Sequence, residues 1–356
     1  MRVIISAGGT GGHIYPALSI INKIMMEEEN SEILYIGTKN RMESKIVPEK
    51  GINYIGINII GIKKDLSIFK ALPLFLSSIN KCKKIIKEFK PDVVIGVGGY
   101  VTAPVIYAAH KLKIKTIIHE QNSIPGKTNR FLTKYVDKIL VSLPGSKDLF
   151  KHQNVVLTGN PRSEEAYFAK PIDKKELGLN KNKKLVLIVM GSLGSMTVSN
   201  SLKEILPKFK NKDYEVLLVT GKDYYDNFKN INISNVKIVP YLNNMINVLK
   251  RVDVMVTRAG ASTIAEILAD KIPSIFIPSP YVANNHQYKN AKELEDNEAA
   301  IIIEEKDLNS ENLLKNIDLL LENSVLYKKM QENLGKLAVI NSSSLIYEEI
   351  KKTIGG

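Results

Sequence analysis

Cysteine is almost absent. Cys82 is the single one in 356 residues, which excludes an internal disulfide and fits a reducing compartment. Nor is there a run of about 18 apolar residues, so no membrane-spanning helix is expected. The apolar run over residues 1–6 breaks into glycines; it is too short for a signal peptide and reads as a first β-strand. No Asp-x-Asp pair offers a metal-bound diphosphate site, and no cysteine–histidine spacing suits zinc. The expectation is chemistry without metal or cofactor, with helix dipoles and hydroxyls stabilising anionic groups.

What is present looks like a soluble globular protein of two domains. Apolar residues make up 44% and charged residues 24%, ordinary for a globular chain, and the length exceeds what one hydrophobic core supports. The net charge of +13 is unevenly placed: residues 1–160 carry 23 Lys/Arg against 12 Asp/Glu, residues 161–356 carry 27 against 25. Such asymmetry suits a partner with an anionic surface, nucleic acid or phospholipid. Of the 50 basic residues 44 are lysine, so a general compositional bias accounts for the excess but not for its position.

Short apolar runs alternate with helical patterns from end to end, the mark of parallel α/β architecture. Strands are expected at 2–6, 33–36, 92–97, 115–118 and 137–141, then near 184–190, 215–220, 236–239, 252–256, 274–277 and 300–303. Helices are expected at 14–29 and 103–112, with a long one from about 325 to 353 closing the chain. A break after Thr158-Gly159-Asn160-Pro161 separates a first domain, 1–160, from a second, 161–334. Two open sheets of this kind bind ligands at the carboxyl ends of their strands.

Six loops carry candidate chemistry. Gly8-Gly9-Thr10-Gly11-Gly12-His13 follows the first strand and opens a helix, so its backbone can approach a phosphate with the helix dipole behind it. No Lys-Ser/Thr follows, which excludes a nucleotide P-loop, and no acidic residue closes the second strand, which argues against the dinucleotide fingerprint. His13 is a candidate general base, although a lone histidine is more often structural. Gly98-Gly99-Tyr100 and His119-Glu120-Gln121-Asn122 follow two further strands and read equally well as ordinary turns. In the second half, Gly191-Ser192-Leu193-Gly194-Ser195 repeats the cradle logic. Arg258-Ala259-Gly260-Ala261-Ser262-Thr263-Ile264-Ala265-Glu266 then offers small residues at a helix start and a carboxylate one turn in. Glu266 suits ribose hydroxyls, or a solvated position, or a capping box with Thr263. The amides of Asn284-Asn285-His286-Gln287-Tyr288-Lys289-Asn290 suit sugar hydroxyls.

Taken together, in order and spacing over nearly the whole chain, these segments closely resemble the MurG family of peptidoglycan glycosyltransferases. The resemblance implies an α/β GT-B fold: two Rossmann-like domains facing a central cleft, with the C-terminal helix, about 335–356, returning to the first. It implies an inverting transfer of GlcNAc from UDP-GlcNAc to the MurNAc C4 hydroxyl of undecaprenyl-linked lipid I, giving lipid II for cell-wall biogenesis. Carried onto this sequence, Glu266 binds ribose, Ser192 and Ala261 to Ile264, with Ala265, the phosphates, Leu242 the uracil and Gln287 the sugar. Thr10, Gly11, Gly12, Asn122 and Arg162 complete the donor side, Gly98, Gly99 and Tyr100 are acceptor candidates, and His13 is the base. Two departures stand out: Met190 where the family's third loop has glycine, and Ser195 where alanine is usual.

Residues 62–90 mix Ile62, Leu66, Ile68, Phe69, Leu72, Leu74, Phe75 and Leu76 with eight lysines against Asp65 and Glu88. That pattern fits an anionic bilayer surface, or a plain amphipathic helix with a solvated basic face; with the resemblance it implies peripheral attachment at the cytoplasmic face of the bacterial cell membrane. Two rival functions remain: a UDP-GlcNAc 2-epimerase, which shares the architecture, and a nucleic-acid-binding module. The second ranks last because the basic half lacks interleaved aromatic platforms.

Overall fold

The computed structural model describes residues 1–61, 68–190 and 196–355. The chain divides into two compact units, one of Met1–Glu164 with Val339–Gly356 and the other of Glu165–Ala338.

The first unit runs β1 (Arg2–Ser6), α1 (Gly11–Glu27), β2 (Glu32–Thr38), α2 (Glu43–Glu49), β3 (Asn53–Ile57), α3 (Ile68–Phe89), β4 (Val93–Gly96), α4 (Thr102–Lys111), β5 (Lys115–Glu120), α5 (Lys127–Leu132), β6 (Lys138–Val141), α6 (Pro144–Lys147), β7 (Val155–Leu157) and the start of α7 (Arg162–Phe168). Its seven strands are all parallel, in the order β3-β2-β1-β4-β5-β6-β7. Successive side chains of a strand point to opposite faces, so β1 feeds two cores. Val3 and Ile5 pack with Ile14, Ala17, Ile21 and Ile24 of α1, while Ile4 packs with Ile79, Cys82, Ile86 and Val105 on the far face. Burial on both faces is why the central strands read as unbroken apolar runs.

The sequence pattern overlooks β3 and β7. Both are short edge strands whose residues, buried Ile57 apart, are exposed or only partly buried; Gly56 interrupts the apolar run of β3, and that of β7 is only Val155-Val156-Leu157.

The second unit holds β8 (Lys184–Val189), α8 (Met196–Ile205), β9 (Tyr214–Val219), β10 (Val236–Val239), α9 (Met245–Leu249), β11 (Val254–Thr257), α10 (Ala261–Asp270), β12 (Ser274–Phe276), α11 (His286–Asp296), β13 (Ile301–Ile302), α12 (Ser310–Glu322) and α13 (Ser324–Leu337). Its sheet is also parallel, ordered β10-β9-β8-β11-β12-β13. Met190, which replaces a glycine of the family pattern, ends β8 as a buried core side chain.

The long closing helix expected over 325–353 is two helices. α13 stops at Leu337, where Ala338 turns extended, and α14 (Ser342–Gly355) starts afresh. Three serines fix the restart: the hydroxyls of Ser342 and Ser343 donate to the carbonyls of Asn160 (2.6 Å) and Pro161 (3.0 Å), and Ser344 binds the Glu164 carboxylate through N–H and hydroxyl. α14 then lies on the first unit, with Ile346 and Ile350 in the α1 core and Tyr347 and Lys351 both donating to Glu28.

Candidate active site

In each sheet the strand order reverses direction at its middle, between β1 and β4 and between β8 and β11. Loops leaving such neighbours diverge to opposite faces and open a crevice at the carboxyl edge. The glycine loops lie at those edges.

In the first unit the loops after β1 and β4 are packed onto one another. The Gly8 amide donates to the Gly98 carbonyl at 3.2 Å. Gly98 and Gly99 have φ of +108° and +87°, and a methyl group at either would collide, 2.5 Å from His13 Cδ2 and 2.3 Å from the Gly8 carbonyl oxygen. Only glycine meets both demands, left-handed backbone and close approach. Gly98 and Gly99, read from sequence as acceptor contacts, thus make room for the His13 ring and for the first loop.

His13 sits in the first turn of α1 and is half-buried. Its Nδ1 lies 3.1 Å from the Gly8 carbonyl, with the Thr10 hydroxyl at 3.5 Å. A carbonyl accepts only, so Nδ1 carries a proton, and in the neutral form of such a ring the basic nitrogen is Nε2. The amides of Gly11 and Gly12 donate to no group among the described residues, as expected of a helix's first turn.

The stretch after β5 is differently used from what its residue types suggest. His119 is fully buried; its Nε2–H donates to the Gly159 carbonyl (3.0 Å) and its Nδ1 accepts from Gln121 (2.9 Å). Burial drives its pKa down to about 4, so it stays neutral. Gln121 also donates to the Val97 carbonyl, and the buried Glu120 carboxylate accepts from the Asn122 backbone and amide, Gly126 and Asn129. His119, Glu120 and Gln121 are therefore the frame, and half-buried Asn122 is the residue they hold at the sheet edge. Arg162 opens α7 beyond the edge strand β7, its amide bound by the Asn160 side chain.

In the second unit the loop after β8, including Ser192 and Ser195, lies outside the described residues. The loop after β11 is braced from two sides. The buried Arg258 guanidinium donates to the Ile277 carbonyl (2.8 Å) and to Glu305 (2.6 Å), and the Asn290 amide donates to the Ala259 carbonyl (3.2 Å). Asn290, read as one of the amides suited to a sugar, is instead fully buried scaffold. Gly260 is the extended N-cap of α10, which leaves Ala261, Ser262 and Thr263 partly exposed in the first turn. The side chains of Ile264 and Ala265 belong to the core, and the Ile264 amide donates to the Gly260 carbonyl at 2.9 Å. Glu266 is 9% exposed, and the helix caps on Gly260 rather than Thr263, so neither the solvated nor the capping-box alternative holds. Gln287 accepts the Ser279 amide on its carbonyl oxygen (2.8 Å), which fixes the direction of its NH2 group. Leu242 is half-buried just past the end of β10.

The glycosyltransferase family 28 N-terminal domain matches residues 3–141 and the corresponding C-terminal domain matches residues 185–345. A Bacillus cytotoxicus protein named UDP-N-acetylglucosamine–N-acetylmuramyl-(pentapeptide) pyrophosphoryl-undecaprenol N-acetylglucosamine transferase is 46% identical over 360 residues, covering 99% of both chains. The crystal structure of Acinetobacter baumannii MurG superimposes with a TM-score of 0.81 at 26% identity, covering 99% of each chain. The chain belongs to the MurG family. A UDP-N-acetylglucosamine 2-epimerase of Listeria monocytogenes, at 15% identity and a TM-score of 0.72 over 99% of this chain and 96% of that one, shares the fold alone.

In this MurG-family chain, sequence reasoning missed Glu43 and Glu305. Glu43 is fully buried and the Glu305 side chain is 6% exposed against Arg258, yet each stands in a polar, charge-rich stretch that reads as surface. Only their tertiary partners mark them.

Proposed function

We infer that this chain transfers N-acetylglucosamine from UDP-GlcNAc to the C4 hydroxyl of the MurNAc unit of undecaprenyl-linked lipid I, with inversion, to give lipid II. The observation that carries the reading is the end-to-end, 46% identical match to a transferase named for that reaction. The loop geometry supplies a mechanism. Nε2 of His13 takes the proton of the acceptor hydroxyl as its oxygen bonds to the anomeric carbon; the bond from that carbon to UDP breaks, and its electron pair leaves with UDP. Amides opening α10 at Ala261, Ser262 and Thr263, with Ser192, stabilise the charge on the departing diphosphate, while Ile264, whose amide is spent on the Gly260 carbonyl, and Ala265 hold the helix behind them. Glu266 takes the ribose hydroxyls, Leu242 the uracil and Gln287 the sugar, while Thr10, Gly11, Gly12, Asn122 and Arg162 complete the donor side. Gly98, Gly99 and Tyr100 line the acceptor side.

The same reading places the chain at the cytoplasmic face of the membrane, held by an anionic surface. Supporting it, α3 exposes Leu72 and Leu76 among lysines, and the adjoining α4, α5 and the turn after α5 carry Tyr107, Phe131 and Tyr135 respectively, with Lys111 and Lys134 over the two tyrosine rings. Apolar groups ringed by cations suit phospholipid headgroups. No helix among the described residues is long and apolar enough to cross a membrane. Ile62 and Leu66 lie outside the described residues.

The deciding experiment is incubation with UDP-GlcNAc and a short-chain lipid I analogue, read as UDP release together with a disaccharide product. UDP-ManNAc formed from donor alone would instead indicate an epimerase. His13→Ala is expected to lower kcat by about 10²–10⁴ with little change in UDP-GlcNAc binding; near-normal turnover sinks the assignment of the base.

A further inference from the structure

Beneath the first glycine loop lies a carboxylate that the mechanism does not use. Glu43 is fully buried. Its Oε1 accepts the Thr38 amide (3.1 Å) and the Thr38 hydroxyl (2.7 Å), and its Oε2 accepts the Gly9 amide (3.2 Å). Thr38 ends β2 and Gly9 follows β1, so one side chain ties together the carboxyl ends of two adjacent strands.

The surrounding residues are shaped to admit it. A methyl group at Gly8 would lie 2.4 Å from Glu43 Oε1, and one at Gly37 would lie 2.8 Å from Glu43 Cγ. Two tyrosines complete the brace: the Tyr35 hydroxyl donates to the Ala7 carbonyl at 3.0 Å, and the Tyr54 hydroxyl donates to the Thr38 carbonyl. Burial, with the Glu43 charge adding to it, holds both phenols well above their ordinary pKa, so both remain donors. Residues 7–9 are thus fastened from behind at three successive positions, and Gly8 is the residue whose carbonyl receives the His13 Nδ1 proton.

We propose that Glu43 is a positioning residue for glycosyl transfer: by holding Gly9 it fixes the Gly8 carbonyl, and through that carbonyl the ring orientation and tautomer of His13. The inference rests on His13 being the base. A buried carboxylate with directed donors favours one loop conformation, because rotation of the Gly8–Gly9 peptide leaves Oε2 without its donor while Oε1 stays fixed on Thr38. Nothing in the arrangement requires Glu43 to touch a substrate.

Glu43→Gln keeps the shape and turns one acceptor into a donor. Thr38 is buried and offers two donors, so the amide oxygen stays with it and the new NH2 faces Gly9, whose partly exposed amide is displaced. Displacement of a catalytic group by a fraction of an ångström to an ångström lowers kcat by roughly 10- to 100-fold. Expected, therefore, is a fall of at least about tenfold in kcat, with KM for UDP-GlcNAc within about twofold of wild type and no further loss when the substitution is added to His13→Ala. Thr38→Val, which removes one donor and leaves the fold, gives a smaller fall in kcat in the same pattern. Wild-type kcat in Glu43→Gln overturns the proposal. So does a loss that multiplies with that of His13→Ala, since Glu43 would then act elsewhere, and so does a matched rise in KM with a lowered Tm, the mark of general destabilisation. Full activity of His13→Ala alone would fell the underlying base assignment and is read separately from all of these.

Discussion

Lowering the pH should weaken this fold through His119. The ring is fully buried, neutral, and committed at both nitrogens: Nε2–H to the Gly159 carbonyl and Nδ1 to the Gln121 amide. Burial holds its pKa at about 4 against 6.5 for a free imidazole, outweighing the opposing pull of the Gly159 carbonyl and the Glu120 charge, and a proton on Nδ1 would face the Gln121 donor. The sign follows from linkage. Above pH 6.5 neither folded nor unfolded chain carries the proton; between 6.5 and 4 only the unfolded chain binds it, so stability falls as pH falls through that window and levels off below it. At about 1.4 kcal/mol per pH unit the full loss is about 3 kcal/mol, of which about 2 kcal/mol has gone by pH 5. With an m-value of about 2 kcal/mol/M, that is a drop of roughly 1 M in the urea midpoint between about pH 7.5 and about pH 5. Urea titrations by circular dichroism at the two pH values, on wild type and His119→Gln, isolate the effect, because His13, His110, His152 and His286 are common to both. Whatever the glutamine costs at neutral pH, its acid-induced drop should be smaller by about 1 M. Parallel drops in the two proteins would refute the reasoning.

Other substitutions probe the loops. Gly98→Ala places a methyl group 2.5 Å from the His13 ring at a φ of +108°, and should cut kcat by about 10²-fold while UDP-GlcNAc binding, measured by calorimetry, stays near wild type. Arg258→Met leaves Glu305 buried without its cation and unties the loop before α10; a stability loss of about 3 kcal/mol and weaker UDP binding are expected, and an unchanged melting temperature would count against the bracing role. Leu72→Ser with Leu76→Ser removes exposed apolar groups of α3 and should reduce co-sedimentation with anionic vesicles without altering UDP binding. Those two positions are better probes than Phe75, which packs partly against the core and would disturb the fold when truncated.

Central strands and glycine loops were open to reading because their physics is local. A strand buried on both faces must be apolar along its length, and a strand-to-helix turn approaching a neighbouring backbone must be glycine, as at Gly98 and Gly99. Strands β3 and β7 gave a weaker signal, β3 broken by Gly56 and β7 only three residues long, whereas the edge strands β10 and β13 kept readable apolar runs. The break between α13 and α14 was hidden for another reason. Ser342, Ser343 and Ser344 read as tolerable helix residues, but their partners, Asn160, Pro161 and Glu164, stand some 180 positions earlier in the chain.

Residue types in order thus determined the α/β class, the family and the loops that bear the chemistry. Which members of those loops face outward was settled only by tertiary contacts. His119, Gln121 and Asn290 have the side chains of a binding site, yet they are spent on the backbone of Gly159, Val97 and Ala259. Glu43 looks like surface charge and lies wholly inside, under Gly9. The physical reason is the same in each case: a polar group's role depends on which donors and acceptors surround it in the folded chain, and those come from strands far apart in sequence.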